Sequence, residues 1–131
     1  PKVVKDKSIL VVDDSNLIRN FILKILDDNF EVIIATDGKE AIDVLEDEEK
    51  SAKLKAVLLD LNMPNVNGFE VLEFFKKNDL FKKIPISIIT GVDDKESIDK
   101  AFKYPIVDIL LKPFNERDVK RILEKTINSN L

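Results

Sequence analysis

ILVVDDSN, residues 9–16, places two aspartates directly behind four consecutive apolar residues. Ile-Leu-Val-Val leaves no polar position for a solvent-facing side, so it reads as a strand buried on both faces. Strands of that kind occur in parallel sheets covered by helices. Asp13 and Asp14 then fall at the strand's carboxyl end, where two adjacent like charges repel unless something offsets them.

The same texture recurs along the chain. Short, largely apolar runs stand at Ile9–Val12, Val32–Ala35, Ala56–Leu59, Ile86–Ile89 and Ile106–Leu111. Pro85 at the head of the fourth run is compatible with a strand's first position. Between the runs lie stripes of helical spacing: Ile18, Phe21, Ile22 and Ile25; Ala41, Val44 and Leu45; Val71, Leu72 and Phe75; Ile98, Ala101 and Phe102; Val119, Ile122, Leu123 and Ile127. Helix starts carry capping-box pairs at Asp37/Glu40, Asn67/Glu70 and Asp93/Glu96. Five strand–helix units in alternation predict an α/β fold, a doubly wound parallel sheet with right-handed crossovers. Its ligands bind beyond the carboxyl ends of the strands, where strand order reverses.

Composition narrows the chemistry. The chain has 131 residues, a size that suits one domain, and a formal charge of −4, which argues against direct nucleic-acid binding. It has no cysteine and no histidine, so disulfides, thiolate and imidazole metal sites, Ser-His-Asp catalysis and a phosphohistidine of its own are excluded. A metal site must use oxygen ligands, which selects hard cations such as Mg²⁺. Apolar runs of about four residues fall far short of the ~18 that span a bilayer. A cytoplasmic location, away from the membrane, is the expectation.

Four of the five strands finish in polar side chains: Asp13 and Asp14, Asp60, Thr90 and Lys112. Taken singly, each has an ordinary explanation, as a helix cap, a strand former or a solvated cation. Together at one edge they form a site. Two unit charges ~4 Å apart repel by roughly 4 kcal/mol at an effective dielectric near 20. Three carboxylates therefore call for raised pKa values, a lysine or a bound cation, and Lys112 with Mg²⁺ would supply the charge. A carboxylate beside a cation, an ammonium and a hydroxyl is a competent phosphoryl acceptor. Asp60, from a central strand and followed by the expected exposed loop Leu61–Pro64, is the best nucleophile.

These stretches resemble the receiver domain of two-component response regulators: VVDDS at 11–15, ATDGKEAI at 35–42, LLDLNMPNVNGFEVL at 58–72, IIT at 88–90 and LLKPF at 110–114. The resemblance spans essentially the whole chain and implies one CheY-like, flavodoxin-like domain over residues 1–131, with strand order 2-1-3-4-5 and no output domain. It further implies that Asp60 takes a phosphoryl group from a histidine kinase or phosphotransfer protein, and that the chain is no enzyme beyond its own phosphorylation and dephosphorylation. Asp14, Asp60 and the backbone carbonyl of Asn62 would ligate Mg²⁺, with Asp13 acting through water. Thr90 and Lys112 would hold the phosphoryl group, Lys112–Pro113 would be cis, and Gly68 would open the third helix without a side chain. The fourth helix, fifth strand and fifth helix would form the output face toward a downstream partner.

One position departs from the pattern. Receivers usually carry Tyr or Phe three residues before the strand-five lysine, and here it is Ile109, with Pro105 and Ile106 where a small pair is common. Either Ile109 only fills space, or Thr90 is weakly coupled to the output face. A receiver-like binding module that works without phosphorylation is the alternative. A phosphohydrolase with an Asp-x-Asp arrangement fits Asp13-Asp14-Ser15 poorly, and no Gly-rich phosphate loop follows the first strand.

Overall fold

A computed structural model describes residues 6–26, 28–63, 67–91 and 94–129. Five parallel strands form one sheet, β1 (Ser8–Val12), β2 (Glu31–Ala35), β3 (Leu54–Asp60), β4 (Ile86–Gly91) and β5 (Ile109–Lys112), in the order β2-β1-β3-β4-β5. Helices α1 (Asn16–Leu26), α2 (Gly38–Glu46), α3 (Glu48–Ala52), α4 (Gly68–Lys77), α5 (Lys95–Ala101) and α6 (Glu116–Asn128) connect them, with a 3₁₀ turn at Leu80–Lys82. The α/β doubly wound architecture and its strand order are those expected.

Side-chain alternation along the strands divides the core in two. Leu10, Val12, Val57, Leu59, Ile86 and Ile88 face α2, α4 and α5. Ile9, Val11, Ala56, Leu58 and Ile89 face α1 and α6, against Ile22, Leu26, Val119, Ile122 and Leu123. All five residues of β1 are buried, which is why its sequence has no polar alternation. A buried hydroxyl pair, Ser87 Oγ to Thr126 Oγ1 at 2.6 Å, ties β4 to α6, and Thr126 also bonds the Ile122 carbonyl.

Several local readings need correction. The chain has one more helix than expected: α3 buries no side chain, so it lacks an apolar stripe, and Asp47 starts it by accepting from the Glu49 and Lys50 amides. The expected fourth and fifth helices are thus α5 and α6. β5 begins at Ile109, three residues late, although Val107 and Asp108 already exchange backbone hydrogen bonds with Ile86 and Ile88. Phe102 is not a core residue but caps α5 at 59% exposure. Asp37 caps α2 as expected, yet Glu40 turns back to the Thr36 amide and hydroxyl instead of completing a box. Asn67 caps α4 through the Phe69 and Glu70 amides. Asp93 lies outside the described residues, and the cap of α5 is Asp94, through the Ser97 amide. The complete capping box stands at α6, between Asn115 and Asp118.

Candidate phosphoacceptor site

The strand order reverses between β1 and β3, and the acidic residues flank that point. Val12 is the register partner of Leu59, so Asp13 and Asp60 extend adjacent strands by the same single step. Asp60 pairs with Ile89, and Gly91 with Lys112, which brings Thr90 and Lys112 to the same carboxyl edge. The five polar residues read from the sequence at four strand ends are therefore neighbours.

Asp13 and Asp60 are buried, while Asp14 is exposed at the rim. Carboxylate oxygens of the three lie within 4.8 Å of one another. Lys112 Nζ stands 3.6 Å from Asp13 Oδ2 and 3.6 Å from Asp60 Oδ2. Each buried carboxylate has one oxygen anchored: Asp13 Oδ1 accepts from the Ser15 amide at 2.8 Å, and Asp60 Oδ1 from the Asn62 amide at 3.1 Å. The other oxygens, Asp13 Oδ2 and Asp60 Oδ2, have no hydrogen-bond partner among the described residues, and neither does the buried Thr90 Oγ1. Buried polar atoms are ordinarily satisfied. Two bare carboxylate oxygens and a bare hydroxyl in one crevice mark a place for something else.

The electrostatics agree. Burial pushes the Asp60 carboxyl up to about 6, helped by the Asp13 charge, while Lys112 and the Asn62 amide pull it down. Burial raises Asp13 as well, against the Ser15 amide and Lys112. A single ammonium does not offset this cluster. The hard-oxygen donor set fits a divalent cation such as Mg²⁺ and no soft metal.

Backbone placement relies on features around the pocket. A Cβ at Gly68 would lie 2.6 Å from the Asp60 carbonyl oxygen and 2.7 Å from Leu61 Cα, so the start of α4 can approach only without a side chain. The Lys112–Pro113 bond is cis. The loop after Asp60 is not exposed as expected: Leu61 and Met63 are buried, only Asn62 faces solvent, and Pro64 lies outside the described residues. Arg19, which no motif singles out, donates to the Asp13 carbonyl at 2.7 Å and also contacts Asn16. Asn62 reaches Asp94 through its side chain at 2.8 Å, a second contact invisible in sequence. Ile109 packs against the core on the α2, α4 and α5 side.

Fold and pocket together define an α/β domain with an acidic, cation-competent site at its topological switch point. The chain belongs to the response regulator receiver domain family, whose model matches residues 9–124. It is 32% identical to the chemotaxis protein CheY1 of Helicobacter pylori, over 93% of this chain and 98% of that protein. It is 31% identical to the two-component response regulator ARR6 of Arabidopsis thaliana, over 87% and 66% of the two chains. Among solved structures, chemotaxis response regulator CheY4 of Vibrio cholerae superposes with a TM-score of 0.78 at 29% identity, covering 92% of this chain and 98% of that one. Among the described residues no helix is long and apolar enough to cross a membrane.

Proposed function

We propose that this receiver is the phosphoacceptor of a two-component system, taking a phosphoryl group on Asp60 from a phosphohistidine of a histidine kinase or phosphotransfer protein. The observation that carries the reading is the buried Asp60 Oδ2, bare of hydrogen bonds and 3.6 Å from Lys112. With its pKa near 6, Asp60 is mostly ionised at neutral pH and so available as a nucleophile. An Asp60 oxygen forms a bond to phosphorus as the bond to the imidazole nitrogen breaks, that nitrogen keeping the electron pair. These 131 residues hold no histidine, so the donor imidazole lies outside them.

Asp13, Asp14, Asp60 and the Asn62 carbonyl would hold Mg²⁺, which when bound offsets carboxylate repulsion and neutralises charge on the phosphoryl oxygens. Lys112 and the free Thr90 hydroxyl would take up the phosphoryl charge from the protein side. Such a reaction needs positioning and charge neutralisation more than covalent machinery, so the chain acts on itself and turns over no separate substrate. The face formed by α5, β5 and α6 would carry the signal to a downstream protein in the cytoplasm. Leu111, 40% exposed, and Phe102 give it apolar contacts. Among its charges, Lys125 pairs with Asp108 at 3.0 Å and Lys120 with Glu116 at 3.6 Å, while Lys100 lies over the Phe69 ring.

Incubation with Mg²⁺ and acetyl phosphate, followed by intact mass, tests the proposal; beryllofluoride binding covers the case of a rejected donor. Ile109 favours one rival, a module that binds its partner regardless of phosphorylation. Equal partner affinity with and without beryllofluoride would support that rival.

A further inference from the structure

The Asp60 pocket has a connection to α5 that runs neither through Thr90 nor through residue 109. Asn62 is held at both ends. Its amide donates to Asp60 Oδ1 at 3.1 Å, and its side-chain Nδ2 donates to Asp94 Oδ2 at 2.8 Å. Asp94 in turn is the cap of α5: its Oδ1 accepts from the Ser97 amide at 3.3 Å, and its carbonyl from the Ile98 amide at 3.1 Å. Its own amide donates to the carbonyl of Gly91, the residue after Thr90, at 3.2 Å. Through its carboxylate Asp94 joins the loop after Asp60 to the first turn of α5, and through its backbone amide it is tied to the end of β4. The hydrogen bonds from Asn62 and Ser97 hold the Asp94 carboxyl below its usual range.

α5 is poorly held otherwise. It has seven residues, and only Ala101 among them is buried. Helices this short depend on caps and packing, so a change at the cap is felt along the whole element. Phosphorylation of Asp60 to an acyl phosphate moves negative charge from its carboxylate to the phosphoryl oxygens, which weakens Asp60 as an acceptor for the Asn62 amide. Any resulting shift of Asn62 displaces the donor that Asp94 is holding.

We infer that Asp94 is the positioning residue that passes the state of Asp60, through the Asn62 side chain, to the N-terminus of α5. The inference rests on Asp60 being the phosphoacceptor. It supplies a route to the output face in a chain whose residue 109 is an aliphatic Ile without ring or polar tip.

The test uses amide chemical shifts of the full chain with Mg²⁺, before and after beryllofluoride. Asp94→Ser is the discriminating variant. A serine hydroxyl still caps a helix N-terminus but falls a bond short of the carboxylate's reach to Asn62. Asn62→Ala breaks the link from the other end and leaves Asp94 free to cap. In the unmodified protein beryllofluoride shifts the amides of Lys95–Ser97 together with those of Thr90 and Gly91. In both variants the Thr90 and Gly91 shifts persist and the α5 shifts are lost, with the Ser97 amide still protected from exchange in Asn62→Ala. Full α5 shifts in both variants overturn the coupling and leave the phosphoacceptor reading standing. Failure of beryllofluoride to bind the unmodified protein overturns both. If Asp94→Ser unravels α5, the result from Asn62→Ala decides.

Discussion

Lys112 Nζ stands 3.6 Å from Asp60 Oδ2, near enough to share charge yet too far for a hydrogen bond. The ammonium also lies 3.6 Å from Asp13 Oδ2, so it is shared between two buried carboxylates and commits to neither. Lys112→Ala removes the cation that competes with a metal for this pocket. We expect Mg²⁺ affinity in the variant to be unchanged or higher by calorimetry, while its structural response to beryllofluoride is impaired. Markedly weaker Mg²⁺ binding would contradict this assignment of Lys112.

The buried Asp60 carboxyl makes the metal-free fold pH-sensitive in a defined direction. Its pKa is raised from 3.8 to about 6, so the folded state holds this proton more tightly than the unfolded chain does. Stability from this group is full below pH 4 and is lost as pH rises toward 6. A rise of about two units corresponds to about 3 kcal/mol. In chelator, Asp60→Asn should therefore be more stable than the parent at pH 7 by an amount of that order, and the difference should shrink toward pH 4. Urea melts at several pH values read it directly. A variant less stable at pH 7 than the parent would show that Asp60 is not strained in the fold.

Gly68 sets how closely α4 approaches the loop after Asp60. Gly68→Ala would put a methyl 2.6 Å from the Asp60 carbonyl oxygen, a backbone atom with no room to yield. Overpacking of this kind costs about 1–3 kcal/mol, seen as a lower urea midpoint. The displaced loop should also weaken Mg²⁺ binding, since Asn62 lies on it. Parent-like stability and affinity would mean the approach is not required.

The Ser87–Thr126 pair gives α6 a polar anchor inside an apolar layer. Thr126→Val leaves the Ser87 hydroxyl buried without that partner, at a cost of about 1–3 kcal/mol. Adding Ser87→Ala should recover part of the loss, because it removes the stranded group. No recovery in the double variant would locate the cost in packing instead.

Much of this molecule was legible before its coordinates. β1, β3 and β4 betray themselves as strands by short, largely apolar runs buried on both faces, and the polar residues at four strand ends converge because parallel strands share one carboxyl edge. What stayed hidden has physical causes. α3 buries nothing, so no apolar stripe announces it. Phe102 matches the helical spacing of Ile98 and Ala101 but falls where α5 has already ended. Leu61 and Met63 look like loop residues in sequence and are drawn inward by contacts distant in the chain. The Asn62–Asp94 and Arg19–Asp13 contacts join side chains whose pairing no local pattern encodes.

The claim at the centre is that Asp60 carries phosphate, and intact mass after incubation with Mg²⁺ and acetyl phosphate tests it most directly. One added phosphoryl group is expected on the parent, absent in chelator and absent in Asp60→Asn. A phosphate adduct that survives in Asp60→Asn, or a parent that takes up neither phosphate nor beryllofluoride, would contradict the account.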